Sequence, residues 1–331
     1  MLAIIEITPA HWVGFLVLIL VPLAMDLGVF HRKAREVSFK EAIGWTMVWC
    51  ALSFCFAGVL VPARGKEEAM EFLTGYLIEL SLSMDNVFVI ALIFAYFKVP
   101  PALQHRALFW GILGALVMRG AMIGAGAALI ARAHWILYFF GGFLIYTGIK
   151  MARSEDEGVE PERNPVVRYV RKFFPVTRHF VGQAFFVRGR EAMKAHVPEP
   201  VTGRIFNHIA LTPLGLVLVM VETTDLIFAL DSIPAIFSVT QKPFIVFTSN
   251  VFAILGLRSL YFVLAGAIQY FTYLKVGLSL VLVFIGTKML LEMVDFRIPT
   301  TVSLGVVVSI LIASIGVSVI KARGGSKKRH S

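Results

Sequence analysis

The chain has 331 residues, of which 58% are hydrophobic and 16% charged, and a mean hydropathy of +0.80. Such a balance excludes an ordinary soluble domain and predicts an all-α polytopic membrane protein. The net charge of +10 does not point to nucleic acid, because the basic residues fall in alternate loops.

Nine apolar segments are long enough to cross a bilayer, near residues 11–31, 41–61, 72–98, 107–131, 134–152, 210–238, 244–271, 274–292 and 299–320. Between them, 23 of the 31 Lys and Arg lie on one side, including eleven from Lys150 to Arg204 and five from Lys321 to Arg329. The positive-inside rule then places the N-terminus outside and the C-terminus in the cytoplasm. The first span lacks a basic n-region and is followed by HRKAR, so it reads as an anchor rather than a cleaved signal. Cys50 and Cys55 are five apart on one helix and point about 140° away from each other, which rules out an internal disulfide.

In chain order, the first span carries Asp26 next to its basic cytoplasmic flank, and the second, with Trp45, Trp49 and Ser53, is a packing helix. The third contains ELSLSMDN, with Glu79, Asp85 and Asn86 inside an apolar run that stops at Pro100-Pro101. Glu79, Ser83 and Asn86 share one helix face, and Asp85 points about 120° away from Glu79. The fourth span is rich in Gly and carries Arg119, and the fifth ends in TGIKMAR, whose Lys150 can snorkel to the cytoplasmic face. A loop over 153–209 follows, acidic from Ser154 to Glu162 and then basic with apolar pairs, suited to lie on anionic lipid headgroups. The sixth span holds VETTDLIFALDSIPA. Glu222, Asp225 and Ser232 share a stripe there, and Pro234 predicts a kink or break beside Asp231. The seventh carries Asn250 and Arg258, the eighth ends in GTKM with Lys288, and the ninth leads into a basic tail over 321–331.

Two acidic motifs stand in register. Glu79, Asp85 and Asn86 are echoed by Asp225, Asp231 and Ser232, Arg119 by Arg258, and Lys150 by Lys288, at offsets of 146, 139 and 138. Three landmarks in one order predict that a first repeat, about 72–152, recurs as a second, about 210–292. An odd number of spans separates the copies, so the second runs through the membrane the opposite way, as in secondary transporters.

A carboxylate at the bilayer centre costs roughly 2.5 to 3.5 kcal/mol on the lenient insertion scale, so five of them demand a reason. All eight His lie in loops or at span ends and neither Cys is near an acidic motif. The remaining carboxylate, amide and hydroxyl oxygens suit a hard divalent cation, with Met84 a softer addition favouring Mn over Mg. If Glu79, Asp85, Glu222, Asp225 and Asp231 converge with Arg119, Arg258 and Lys288, the residual charge matches one divalent ion. The competing reading is that these acids pair with those Arg and Lys residues and brace the helices.

The motifs AMDLGVFHRKAREVSFKEA, ELSLSMDNVFVIALIF, FFPVT, FFVR, VETTDLIFALDSIPAIF and FTSNVFAILGLRSLYF resemble the TerC family of integral membrane proteins, in the branch that includes the Alx-type manganese exporters. The resemblance runs from about Asp26 to Met293. It implies a bacterial inner-membrane protein that exports Mn(II) as the transported ion, with no permanently bound cofactor, and assigns the acidic motif to Glu79, Asp85, Asn86, Glu222, Asp225, Asp231 and Ser232. Asp85 and Asp231 are then the primary ligands, Asn86 and Ser232 supply neutral oxygens, and Glu79, Glu222 and Asp225 ligate or carry protons in exchange. The alternative is a membrane scaffold that assists protein insertion or metal loading of exported proteins through the long loop. An enzyme is not expected, since no nucleophile and base pair or HExxH motif appears.

Overall fold

The computed structural model describes residues 7–25, 38–133, 135–153, 165–177, 179–188, 209–265, 274–292, 296 and 298–327. Asp26, His31, the acidic stretch 154–162 and the last residues of the basic tail lie outside them. The chain is almost entirely helical: α1 (Pro9–Met25), α2 (Phe39–Arg64), α3 (Lys66–Tyr96), α4 (Pro101–Arg132), α5 (Ile136–Arg153), α6 (Pro165–Phe173), α7 (Pro213–Phe237), α8 (Pro243–Ala265), α9 (Leu274–Leu291) and α10 (Thr300–Lys327). Among the described residues, α2, α3, α4, α7, α8 and α10 are long and apolar enough to cross a membrane. The other expected crossings correspond to α1, α5 and α9, which are 17 or 18 residues long.

Local chemistry explains the helix boundaries. Ser38 caps α2 by accepting from the Glu41 amide, and Thr212 caps α7 through the Gly215 amide at 3.2 Å. Pro101 opens α4 and Pro213 opens α7, where the missing amide hydrogen costs nothing. Between α2 and α3 a single residue, Gly65 at φ +96°, reverses the chain, a conformation that β-carbons disfavour.

α8 is buried along its entire membrane-length stretch and forms the axis of the bundle, its polar Asn250 and Arg258 included. α2, α3, α4 and α7 pack around it, α5 pairs with α9, and α10 lies against α9 and α3. The α5–α9 seam is close because of small residues. A Cβ on Gly148 would stand 2.8 Å from the Ser279 carbonyl oxygen, and one on Gly286 would stand 2.5 Å from that of Gly141.

One expectation needs correction, the break at Pro234. α7 runs unbroken through Pro234 to Phe237. The proline sits in the last turn, where only its own bond to the Leu230 carbonyl is lost and nothing downstream depends on it. The loop after α5 packs in part on the helix bundle. Val167 of α6 is buried, and Phe174, Val176, Phe180 and Phe185 pack on the cluster formed by α3, α4, α7 and α8. Strand β1 (Phe186–Arg188) pairs antiparallel with β2 (Ile209–Leu211), and Thr212 donates to the Ala184 carbonyl at 2.6 Å. Phe174 and Phe185, one from each apolar pair, thus help to seal one end of the helix bundle.

Candidate functional site

In the middle of the bundle, three helices deliver oxygen atoms to one guanidinium. Arg119 projects from α4 and is 2% exposed; Glu79 from α3 is 0% exposed and Asp225 from α7 is 5% exposed. The Asp225 carboxylate accepts from Arg119 through Nε at 3.0 Å and Nη2 at 2.8 Å, a bidentate pair. Arg119 Nη1 donates a short bond to Glu79 Oε1 and reaches Ser232 Oγ and Asn250 Oδ1 at 3.4 Å each. Asn250 on α8 donates in turn to Glu79 Oε2 at 3.0 Å, and Ser83 Oγ lies 3.4 Å from Glu79 Oε1. Asn86 donates to Asp225 Oδ1 at 2.8 Å, while its own buried amide oxygen has no hydrogen-bond partner.

This arrangement bears on each predicted residue. The Glu79, Ser83 and Asn86 face of α3 meets the Asp225 and Ser232 face of α7 across the guanidinium, as helical spacing requires. The central set carries two carboxylates and one guanidinium, a net charge of minus one. Glu222 stands one turn before Asp225 and fits against Gly114 of α4, where a Cβ would collide with its carboxylate. Its Oε2 is buried and lacks a hydrogen-bond partner. Asp231 is half-buried and faces α5, bonded by Thr147 and within electrostatic range of Lys150. Asp85 is half-buried on the adjoining face of α3.

The convergence of all five acids with three cations does not occur. Arg258 lines a small space with Glu41 and His105, and Lys288 lines a large cavity at one end of the bundle. The offset that relates both residues to Arg119 and Lys150 concerns sequence position, whereas helix rotation and depth decide which side chains meet. Among the described residues, no group of three or more His, Cys, Asp or Glu is gathered closely enough to hold a metal ion.

Arg119 and Asn250 are the site residues to which the acidic motifs alone assign no role. The available signal was that a charged residue in a Gly-rich span and an amide in an apolar one each need a partner. The large cavity, about 1040 Å³, lies where α3, α5 and α10 begin and α7 and α9 end. At its rim Lys242 bonds Glu71 at 3.1 Å and Glu68 at 3.3 Å, Thr240 donates to Glu71 at 2.8 Å, and Arg64 holds Glu68 at 2.7 Å. Burial works against the Lys242 ammonium, but the Glu71 and Glu68 carboxylates outweigh it and raise its pKa.

Comparison with known proteins agrees with this architecture. The description "Integral membrane protein TerC family" matches residues 64–326. A membrane protein of Myxococcus xanthus, STKORF319, is 50% identical over 319 residues, covering 96% of this chain and 94% of its own. Alx of Escherichia coli K12, whose name presents it as a membrane-bound redox modulator, is 47% identical over 315 residues and 92% of each chain. A membrane protein of Rickettsia bellii is 37% identical over 310 residues, 94% of this chain and 97% of its own. No solved structure matches the chain. With that coverage, the chain belongs to the TerC family of integral membrane proteins.

Proposed function

We propose that the protein is a bacterial inner-membrane transporter that exports a divalent metal cation, Mn(II) first, by alternating access of two inverted repeats. The observation that carries this reading is the buried set of oxygen donors that α3, α7 and α8 direct to one point, around a charge of minus one. Two carboxylates, an amide and a hydroxyl are the donors a hard divalent cation takes up when it sheds water. Brace-type ion pairs need no spare amide oxygen, whereas the partnerless carbonyl of Asn86 is a ready further ligand.

The packing supports the inverted repeat. Exchanging α3 with α7, α4 with α8 and α5 with α9 turns the α3–α8 contact into α7–α4 and the α5–α7 contact into α9–α3, and all four contacts occur. A shift of 138 residues carries Gly148 onto Gly286 and Gly141 onto Ser279, so the two close approaches in the α5–α9 seam are mates. The cavity edged by Lys242 and Glu71 is then the extracytoplasmic vestibule and the capped end holding α6 the cytoplasmic one, with the N-terminus outside and the C-terminus inside. Protons returning on Glu222 are the coupling the chemistry suggests.

The test is Mn(II) flux in proteoliposomes under imposed pH gradients, with Mg, Ca and Zn as competitors. Saturable, Mn-selective flux is expected, and loss of Mn tolerance in cells when Asp85 or Asp231 is changed to Ala. Absence of cation-selective flux under every gradient refutes transport. Wild-type tolerance in both variants refutes the assignment of those two aspartates.

A further inference from the structure

The centre of the oxygen-lined set is filled by the guanidinium of Arg119 itself. We propose that Arg119 is a tethered substitute cation: it occupies the cargo position when cargo is absent, and cargo binding hands it from Asp225 to Glu222. This rests on the transport reading above and specifies how that site is regulated.

Four observations point the same way. The donors around the guanidinium are carboxylate, amide and hydroxyl oxygens drawn from three helices, the same types that would ligate a divalent ion. Asn86, itself buried, keeps an amide oxygen without a partner beside Asp225, so the set contains a donor that the guanidinium does not use. Glu222 sits one helical turn from Asp225 with a buried carboxylate oxygen equally unused, about 5 Å along the axis. That distance is within the swing of an arginine side chain anchored on a fixed helix. Finally, Gly114 on α4 leaves the space in which the Glu222 carboxylate lies, so the acceptor packs against the helix that carries Arg119.

Charge accounting explains why such a device is needed. Glu79, Asp225 and Glu222 carry minus three when ionised and Arg119 plus one. With one divalent cation on Glu79 and Asp225 and the guanidinium on Glu222, the sum is zero. When the cation departs, two carboxylates would be left facing each other in a dry interior, which is costly enough to block reorientation of the empty carrier. The returning guanidinium pairs with both carboxylates again and, with a proton taken up by Glu222, the empty protein can reset. Without it, the loaded protein still crosses between its two faces, but the empty one cannot.

The prediction separates net transport from exchange. In proteoliposomes with radioactive Mn(II), the wild type should show both net flux and Mn/Mn exchange. Arg119→Gln should lose net flux at least tenfold while exchange stays within about twofold, and Arg119→Lys should restore part of the net flux. In detergent, Arg119→Gln should bind Mn(II) at least tenfold more tightly than the wild type, because the competing cation is gone. Glu222→Gln should bind it more weakly, because the displaced guanidinium has lost its acceptor. Net flux unchanged in Arg119→Gln overturns the proposal. So does joint loss of exchange and Mn(II) binding in a protein that elutes as a single folded species and whose Lys variant behaves alike, since Arg119 is then a brace. A wild type that neither transports nor exchanges Mn(II) refutes the transport reading instead, and the tightening of binding in Arg119→Gln remains a separate measurement of the competition.

Discussion

Replacing Asp225 by Ala tests the energetics of the buried cluster. The Asp225 carboxylate accepts two bonds from Arg119, at 3.0 and 2.8 Å, and one from Asn86 at 2.8 Å. Hydrogen bonds to charged groups contribute about 1.5–3 kcal/mol each, which sets an upper limit of several kcal/mol for the three. The Ala variant leaves Arg119 with Glu79, so the guanidinium keeps one countercharge and the loss falls near the ~3–5 kcal/mol typical of breaking a buried pair. Arg119→Ala leaves two carboxylates without a cation and should cost at least as much. Reversible unfolding in mixed micelles of increasing SDS content gives the free energies of both variants and of the double variant. The double variant should be less destabilised than the sum of the singles, by about 1–3 kcal/mol of coupling. A loss below about 1 kcal/mol for Asp225→Ala, or strict additivity, would show that the cluster is not the tight ionic network described above.

Two further predictions concern the packing and the vestibule. Gly286→Ala places a methyl group 2.5 Å from the Gly141 carbonyl oxygen and should destabilise the protein by about 1–3 kcal/mol, whereas Gly142→Ala, with open space around it, should be neutral; equal midpoints in thermal unfolding would refute the seam. Because Glu71 and Glu68 raise the pKa of Lys242, that pair stabilises the fold fully below the ordinary lysine pKa of about 10.4 and loses its effect as pH rises through the higher folded value. Lys242 is 44% exposed, so solvent screening holds the effect to about 1 kcal/mol or less. Glu71→Gln should flatten the alkaline limb of the unfolding midpoint between about pH 9 and 12, and an unchanged limb would show that Lys242 does not report on Glu71.

The sequence and the structure agree where periodicity and cost decide the answer. A carboxylate, a serine and an amide at i, i+4 and i+7 on an apolar helix must share a face, and Glu79, Ser83 and Asn86 do meet their counterparts on α7. The same reasoning brings Ser232 onto the stripe of Asp225. What one dimension cannot supply is relative rotation and depth. Arg258 matches Arg119 in order along the chain, yet one lies beside Glu41 and the other between Glu79 and Asp225. Glu71 and Lys242 are 171 positions apart, and neither belongs to a repeated motif, so nothing local foretells their pairing. Pro234 signals a break by its chemistry, but whether a helix breaks depends on how many turns lie beyond the proline, and here almost none do.

The asymmetry between the two arginines is itself informative. If the repeats were equivalent in three dimensions, Arg119 and Arg258 would contribute alike to the centre, and two guanidiniums would offset the two carboxylates, leaving no charge for a cation to match. Withdrawing Arg258 from the centre leaves Glu79 and Asp225 with a single guanidinium and a net charge of minus one. On the transport reading proposed above, that deficit would let a divalent ion compete with Arg119, because the ion supplies one more positive charge than the group it displaces. A perfectly symmetric cluster would be a neutral brace. On the transport reading proposed above, the inverted repeat would supply the antiparallel scaffold, and the departure from it at position 258 the affinity.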